Sequence, residues 1–112
     1  MFYKKMPTIT LHEAHTRGLE PSKYESLPKE GTRAVTLDFT TPGRGNWIDC
    51  YFTCASTGNK FKVPAFKQSN GNYGPPQSTV NFENDKLYGK HFMLVLKSNT
   101  GVVKWERALK VR

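Results

Sequence analysis

The stretch from Asn46 to Lys67 constrains the fold most, because two strands and their turn lie in one continuous pattern. Asn-Trp-Ile-Asp-Cys-Tyr-Phe-Thr-Cys and Lys-Phe-Lys-Val-Pro-Ala-Phe-Lys are rich in aromatic and β-branched residues, and Ala-Ser-Thr-Gly-Asn separates them. That composition predicts a β-hairpin. A loop over Ser56–Asn59 sets Ala55 opposite Lys60, Cys54 opposite Phe61, Phe52 opposite Val63 and Cys50 opposite Ala65. Side chains alternate across a strand, so Cys50, Phe52, Cys54, Phe61, Val63 and Ala65 share one apolar face. The opposite face carries Trp47, Asp49, Tyr51, Thr53, Lys60, Lys62 and Phe66. An odd-numbered loop sets Phe52 against a lysine and scrambles both faces.

A preceding strand is expected from Arg33 to Thr40, with Val35, Leu37 and Phe39 facing inward. Pairing Thr40 with Trp47 across Thr41-Pro-Gly-Arg-Gly-Asn46 brings those three onto Ile48, Cys50 and Phe52, which predicts a three-stranded meander. A turn-rich segment follows from Gln68 to Gln77, with Tyr73 in its middle, and long segments of this kind tend to be functional. Ser78–Phe82 is a short strand candidate with Val80 and Phe82 inward, and Glu83–Lys90 has room for one helical turn. The last element is a second hairpin: His91–Lys97, a turn at Ser98–Gly101, and Val102–Leu109. Setting Lys97 against Val102 puts Leu96 against Val103 and Leu94 against Trp105, with Trp105 in the core. Met93, Val95, Lys97, Lys104 and Glu106 then share the outer face.

Five or six short antiparallel strands with few helices predict an all-β fold, a small OB-like barrel. A two-sheet sandwich and an SH3-like barrel also accommodate the strands. At 112 residues the chain makes one domain. Residues 32–112 form the barrel, and residues 1–31 are an N-terminal extension that packs on or near it. Within that extension Thr10-Leu-His-Glu13 has the spacing of a capping box and Gly18 is placed to end a short helix, while Thr8-Ile-Thr-Leu11 equally suits a strand.

The chain carries 17 Lys and Arg against 9 Asp and Glu, a net charge of +8, and most of the surplus follows residue 31. A basic stripe on a sheet suits polyanions, above all nucleic acid. On the mixed face, Trp47, Tyr51 and Phe66 offer flat surfaces for bases, while Arg44, Lys60 and Lys62 reach phosphates. Lys67 and Tyr73 are placed to close over a bound strand. The expected partner is single-stranded nucleic acid, DNA ahead of RNA, bound with weak sequence selectivity. This resembles in general character the small single-strand-binding proteins of viruses and plasmids. The competing expectations are that the same aromatics pack under the N-terminal segment, or that they meet a protein partner or a second copy in a homodimer or larger homo-oligomer.

An enzymatic reading has one foothold. The proposed register sets Asp38 opposite Asp49, where two carboxylates repel unless a cation joins them, and Lys62 shares that face. The plainer reading pairs each aspartate with Arg44 or a lysine, or places the register elsewhere. His12-Glu-Ala-His15 brings its second histidine one residue early for a zinc motif, and no nucleophile elbow or phosphate loop occurs. The expectation is a non-enzymatic protein without metal or cofactor. Cys50 and Cys54 lie roughly 13 Å apart along one strand at ~3.3 Å per residue, beyond the ~7 Å reach of a disulfide. Both are expected as small buried hydrophobes. No window reaches the ~18 apolar residues of a membrane span. The opening residues lack the ~7–15-residue apolar core of a secretory signal, so a cytoplasmic location is expected.

Overall fold

The turn of the first hairpin falls one residue earlier than the pattern suggests. The Cys54 amide donates to the Asn59 carbonyl at 2.7 Å and the Gly58 amide to the Cys54 carbonyl at 2.8 Å, so the loop is Ala55–Gly58. Gly58 sits at φ 75, a left-handed conformation that L side chains resist. The loop stays even, so the pairing moves by two residues and the faces survive. Cys50 now opposes Val63 and Phe52 opposes Phe61, and Cys50, Phe52, Cys54, Phe61, Val63 and Ala65 are all buried.

The computed structural model describes residues 8–26, 29–76, 78–99 and 102–110, with side chains except at 99 and 102–104. The expected turn residues Thr100 and Gly101, the loop residue Gln77, and the side chains of Val103 and Lys104 fall outside that set. One helix, α1 (Leu11–Thr16), is followed by β1 (Gly31–Pro42), β2 (Trp47–Cys54), β3 (Lys60–Lys67), β4 (Tyr73–Gly74), β5 (His91–Asn99) and β6 (Val102–Lys110). Short 3-10 turns occur at Pro21–Lys23 and Asp85–Leu87. All strand pairs are antiparallel in the order β4-β3-β2-β1-β5-β6, and the sheet curls into a nearly closed barrel. Inside, Trp105 of β6 meets Phe52 of β2 with ring centroids 5.7 Å apart, and Phe82 at 4.9 Å.

The meander forms as expected, but its first ladder contains a bulge between Leu37 and Phe39. Leu37 opposes Phe52 before it, and Phe39 opposes Tyr51 after it. An extra residue in one strand turns every later side chain to the other face. Phe39 therefore leaves the barrel interior and Thr40 enters it, where the Tyr88 hydroxyl lies 2.8 Å from Thr40 Oγ1. The ladder is displaced from the expected register by two residues before the bulge and by three after it, so Asp49 opposes Thr41 and the expected Asp38–Asp49 pairing does not form. In the second hairpin the ladder also moves by two residues and carries a bulge, between Val95 and Leu96. Leu96 opposes Trp105 and Leu94 opposes Ala108, and all four are buried.

Two apolar clusters result. The interior one contains Val35, Leu37, Ile48, Cys50, Phe52, Phe61, Val63, Phe82, Phe92, Leu94, Leu96 and Trp105, among others. The second lies outside β1 and β2 and joins Phe39 and Tyr51 to Ile9, Ala14 and Tyr24 of the N-terminal segment. That segment is held by α1, whose capping box is complete: Thr10 Oγ1 accepts from the Glu13 amide and Glu13 accepts from the Thr10 amide. Gly18 ends it, with amides 18 and 19 donating to the carbonyls of His15 and Ala14. Further on, Glu25 bridges in parallel to Phe61 and covers part of the β3 edge.

The expected strand at Ser78–Phe82 is absent; β4 forms instead at Tyr73–Gly74, inside the turn-rich segment. Phe82 is buried and Val80 packs against the core, as their polarity requires. Their segment is held by side-chain turns: Asn70 and Asn72 donate to the Ser78 carbonyl, and Ser78 Oγ donates to the Val80 carbonyl. No helix among the described residues is long and apolar enough to cross a membrane.

Candidate nucleic-acid interface

The outer ladder of β2 and β3 pairs Trp47 with Phe66, Asp49 with Pro64, Tyr51 with Lys62 and Thr53 with Lys60. It divides into an exposed aromatic end, a covered middle and a basic end.

At the aromatic end the Trp47 and Phe66 rings lie 6.1 Å apart and tilted by 46°. Phe66 is 48% exposed and Trp47 half-buried. The indole lies over Gly43, close enough that a Cβ there would fall 2.2 Å from Nε1. A backbone bond from the Gly43 amide to the Trp47 carbonyl, 3.0 Å, closes the β1–β2 turn that carries the exposed Arg44. Lys67, also exposed, is tied by its amide to the Asn46 carbonyl. Two backbone bonds thus set the turn bearing Arg44 and the end of β3 next to Trp47 and Phe66, while alternation puts the Lys67 side chain on the opposite face from Phe66.

In the middle, Tyr51 is not a surface platform. It is 2% exposed, stacked on Phe39 at 4.3 Å, met edge-on by Tyr24 at 5.1 Å and bonded through its hydroxyl to Thr41. Burial pushes its phenol above the ordinary value. The bulge in β1 delivers Phe39 to this face, and the N-terminal segment closes over both. Lys62 crosses above with its ammonium 5.9 Å from the Tyr51 ring centroid. Asp49 beside it is partly buried, and that burial raises its carboxyl while Lys62 pulls it down.

At the basic end Lys60 Nζ donates to Thr53 Oγ1 at 3.0 Å, and Thr53 in turn donates to Asp38 Oδ2. Tyr24 donates to the same carboxylate oxygen at 2.8 Å, and the Lys60 ammonium lies 5.3 Å from the Tyr24 ring centroid. Asp38 is therefore occupied by two hydroxyls, one of which holds Lys60 in place. Beside this network opens a recess of about 630 Å³ lined by Lys23, Glu25, Lys29, Arg33, Cys54, Ser56, Thr57, Asn59 and Lys60.

Lys23, Lys29 and Arg33 were not among the residues that the sequence pattern marks as functional. Lys23 and Lys29 sit in a segment without periodicity. Arg33 did carry a signal: it has the parity of Val35 and Leu37, so its charge points inward at the barrel mouth. Tyr73 is half-buried against the core, held by its amide on Asn81 Oδ1 at 2.9 Å, and does not close over the aromatic pair. Both cysteines are free and buried, and they differ in chemistry. Burial and the nearby Asp49 push the Cys50 thiol well up. Hydrogen bonds from Ser56 and Thr57 bring the Cys54 thiol down to about 6.

Among the described residues no group of three or more His, Cys, Asp or Glu is arranged to hold a metal ion. Comparison of the chain with protein-family models, with curated proteins and with solved structures gives no match.

Proposed function

We propose that this protein binds single-stranded nucleic acid, DNA in the first instance, without catalysis and with weak sequence selectivity. The carrying observation is the Trp47–Phe66 pair, rings 6.1 Å apart and partly exposed beside the turn that carries Arg44. Bases stack on such pairs whatever their identity, at about 1–3 kcal/mol each. Lys62 and Lys60 continue the path along the same ladder. We read the barrel as OB-type, with β1 central, a meander on one side and a hairpin on the other, a scaffold that binds strands on a sheet face.

The test is titration of intrinsic fluorescence with a short oligo(dT) at two salt concentrations. Trp47 is quenched, while Trp105, 5% exposed, stays silent. With Arg44, Lys60 and Lys62 on phosphates, affinity falls about 50-fold between ~50 and ~200 mM salt. Absent or salt-insensitive binding overturns the reading.

A second reading, a protein-interaction module or homo-oligomer, is favoured by Leu109, which is 54% exposed on β6 at the end of the sheet order. Exposed sheet ends can pair with a further chain. A concentration-dependent sedimentation coefficient distinguishes it.

A further inference from the structure

We propose that the recess at the β2–β3 turn, lined by Lys23, Lys29, Arg33 and Lys60, is a binding site for a phosphate group. This deepens the single-strand reading by adding a defined anion subsite at the far end of the ladder from Trp47. Four cations there face two anionic groups, the Glu25 carboxylate and, at neutral pH, the Cys54 thiolate, and so outnumber them. Lys23 is shared with Glu20, but both side chains of that ion pair are more than half exposed, so an incoming anion readily competes. Arg33 is held in advance: its Nη2 donates to the Lys29 carbonyl at 2.6 Å and its guanidinium lies 5.9 Å from the Phe61 ring centroid. The remaining guanidinium donors are the planar fork that suits phosphate oxygens. Lys60 is likewise fixed, through Thr53. The turn adds the side chain of Asn59, while the Ser56 and Thr57 hydroxyls are engaged with Cys54. A tetrahedral oxyanion uses many donors from several directions, and this wall supplies them. The recess, about 630 Å³, has room for a whole phosphorylated residue. The phosphate can come from a bound strand, internal or terminal, or from a free nucleotide.

Backbone amide shifts of Ser56, Thr57 and Lys60 are followed by NMR during titration with four probes. These are inorganic phosphate, a nucleoside monophosphate, and an oligo(dT) with and without a 5′-phosphate, each against chloride of equal ionic strength. Saturable shifts with phosphate and none with chloride are expected. Lys29→Gln, an exposed position that leaves the fold intact, should weaken phosphate binding at least threefold, and Arg33→Gln at least tenfold. Tighter binding of the 5′-phosphorylated oligonucleotide assigns the recess to strand ends, equal binding of both oligonucleotides to internal phosphates. Response to the mononucleotide with no oligonucleotide binding keeps the site and removes the single-strand reading. Oligonucleotide quenching of Trp47 without shifts at the recess overturns the site alone. Shifts equal to those with chloride, or unchanged in folded Lys29→Gln and Arg33→Gln, also overturn it.

Discussion

Phe39 and Tyr51 stack nearly parallel, 4.3 Å apart and inclined by 10°, on the outside of the barrel. Regular alternation along β1 would have left Phe39 inside; the bulge after Leu37 brings the two rings together. The consequence is that Tyr51 belongs to stability rather than to recognition. Tyr51→Ala should cost about 3–5 kcal/mol, the usual range for removing a buried aromatic ring. Phe66→Ala, at a half-exposed ring, should cost under about 1 kcal/mol. Urea denaturation of the two variants checks the contrast, and equal costs would show that the N-terminal segment does not cover Tyr51.

Gly43 is a lever on Trp47. Its backbone conformation is open to other residues, but a Cβ would meet Nε1 at 2.2 Å and Cδ1 at 2.4 Å. Gly43→Ala should therefore displace the indole, at a cost of about 1–3 kcal/mol for overpacking. Because the displaced ring no longer sits beside Phe66, oligonucleotide affinity should fall with it. Emission spectra and quenching titrations on the same variant read both effects. A variant with unchanged emission and affinity contradicts this arrangement.

Trp47→Ala removes one stacking surface and should weaken oligo(dT) binding by about 1–3 kcal/mol. The salt dependence should persist, because Arg44, Lys60 and Lys62 remain. A loss of salt dependence with the tryptophan would mean that the cations do not lie on the same path. Double titration, in oligonucleotide and in salt, separates the two contributions.

Cys54, though buried, lines the open recess, which Cys50 does not, and should react with iodoacetamide as a thiolate at neutral pH. Its thiol is lowered to about 6 by hydrogen bonds from Ser56 and Thr57, so the alkylation rate should rise through pH 6 and level off near 7. An ordinary cysteine is still rising at ~8.5. Cys50, buried and pushed upward, should stay unmodified until the protein unfolds. The sign for stability follows from the same shift. The folded state favours the deprotonated form, so this contribution is full above the unfolded value and is lost as pH falls through about 6. Cys54→Ser should flatten that part of the stability profile, and mass spectrometry with chemical denaturation at several pH values checks both points.

Much of the barrel was legible because parity is robust. Moving a four-residue turn by one position shifts a ladder by two, and Cys50, Phe52, Phe61 and Val63 keep their face whichever position the turn takes. Bulges are not legible in this way. Nothing in Val-Thr-Leu-Asp-Phe-Thr marks the extra residue, since Phe39 is as apolar as an inward position requires. The bulge hides Tyr51 as a base platform by setting Phe39 on it, and together with the displaced register it leaves Asp38 to Tyr24 and Thr53 instead of Asp49. The basic recess was hidden for another reason: its cations come from three separate segments that only the tertiary fold assembles.

The N-terminal segment buries the middle of the outer face of β1 and β2. Apart from the Lys62 ammonium above the buried tyrosine, what remains wet on this ladder is chiefly its two ends, Trp47 with Phe66 and Lys60 beside the recess. From position 47 to position 53 a strand covers roughly 20 Å at ~3.3 Å per residue. Under the proposed function the ladder acts as a ruler. A ligand shorter than that span engages one end and gains nothing from the other, whereas a longer one engages both at high effective concentration. Affinity should step upward, rather than climb evenly, at the oligonucleotide length that first bridges the covered tyrosine.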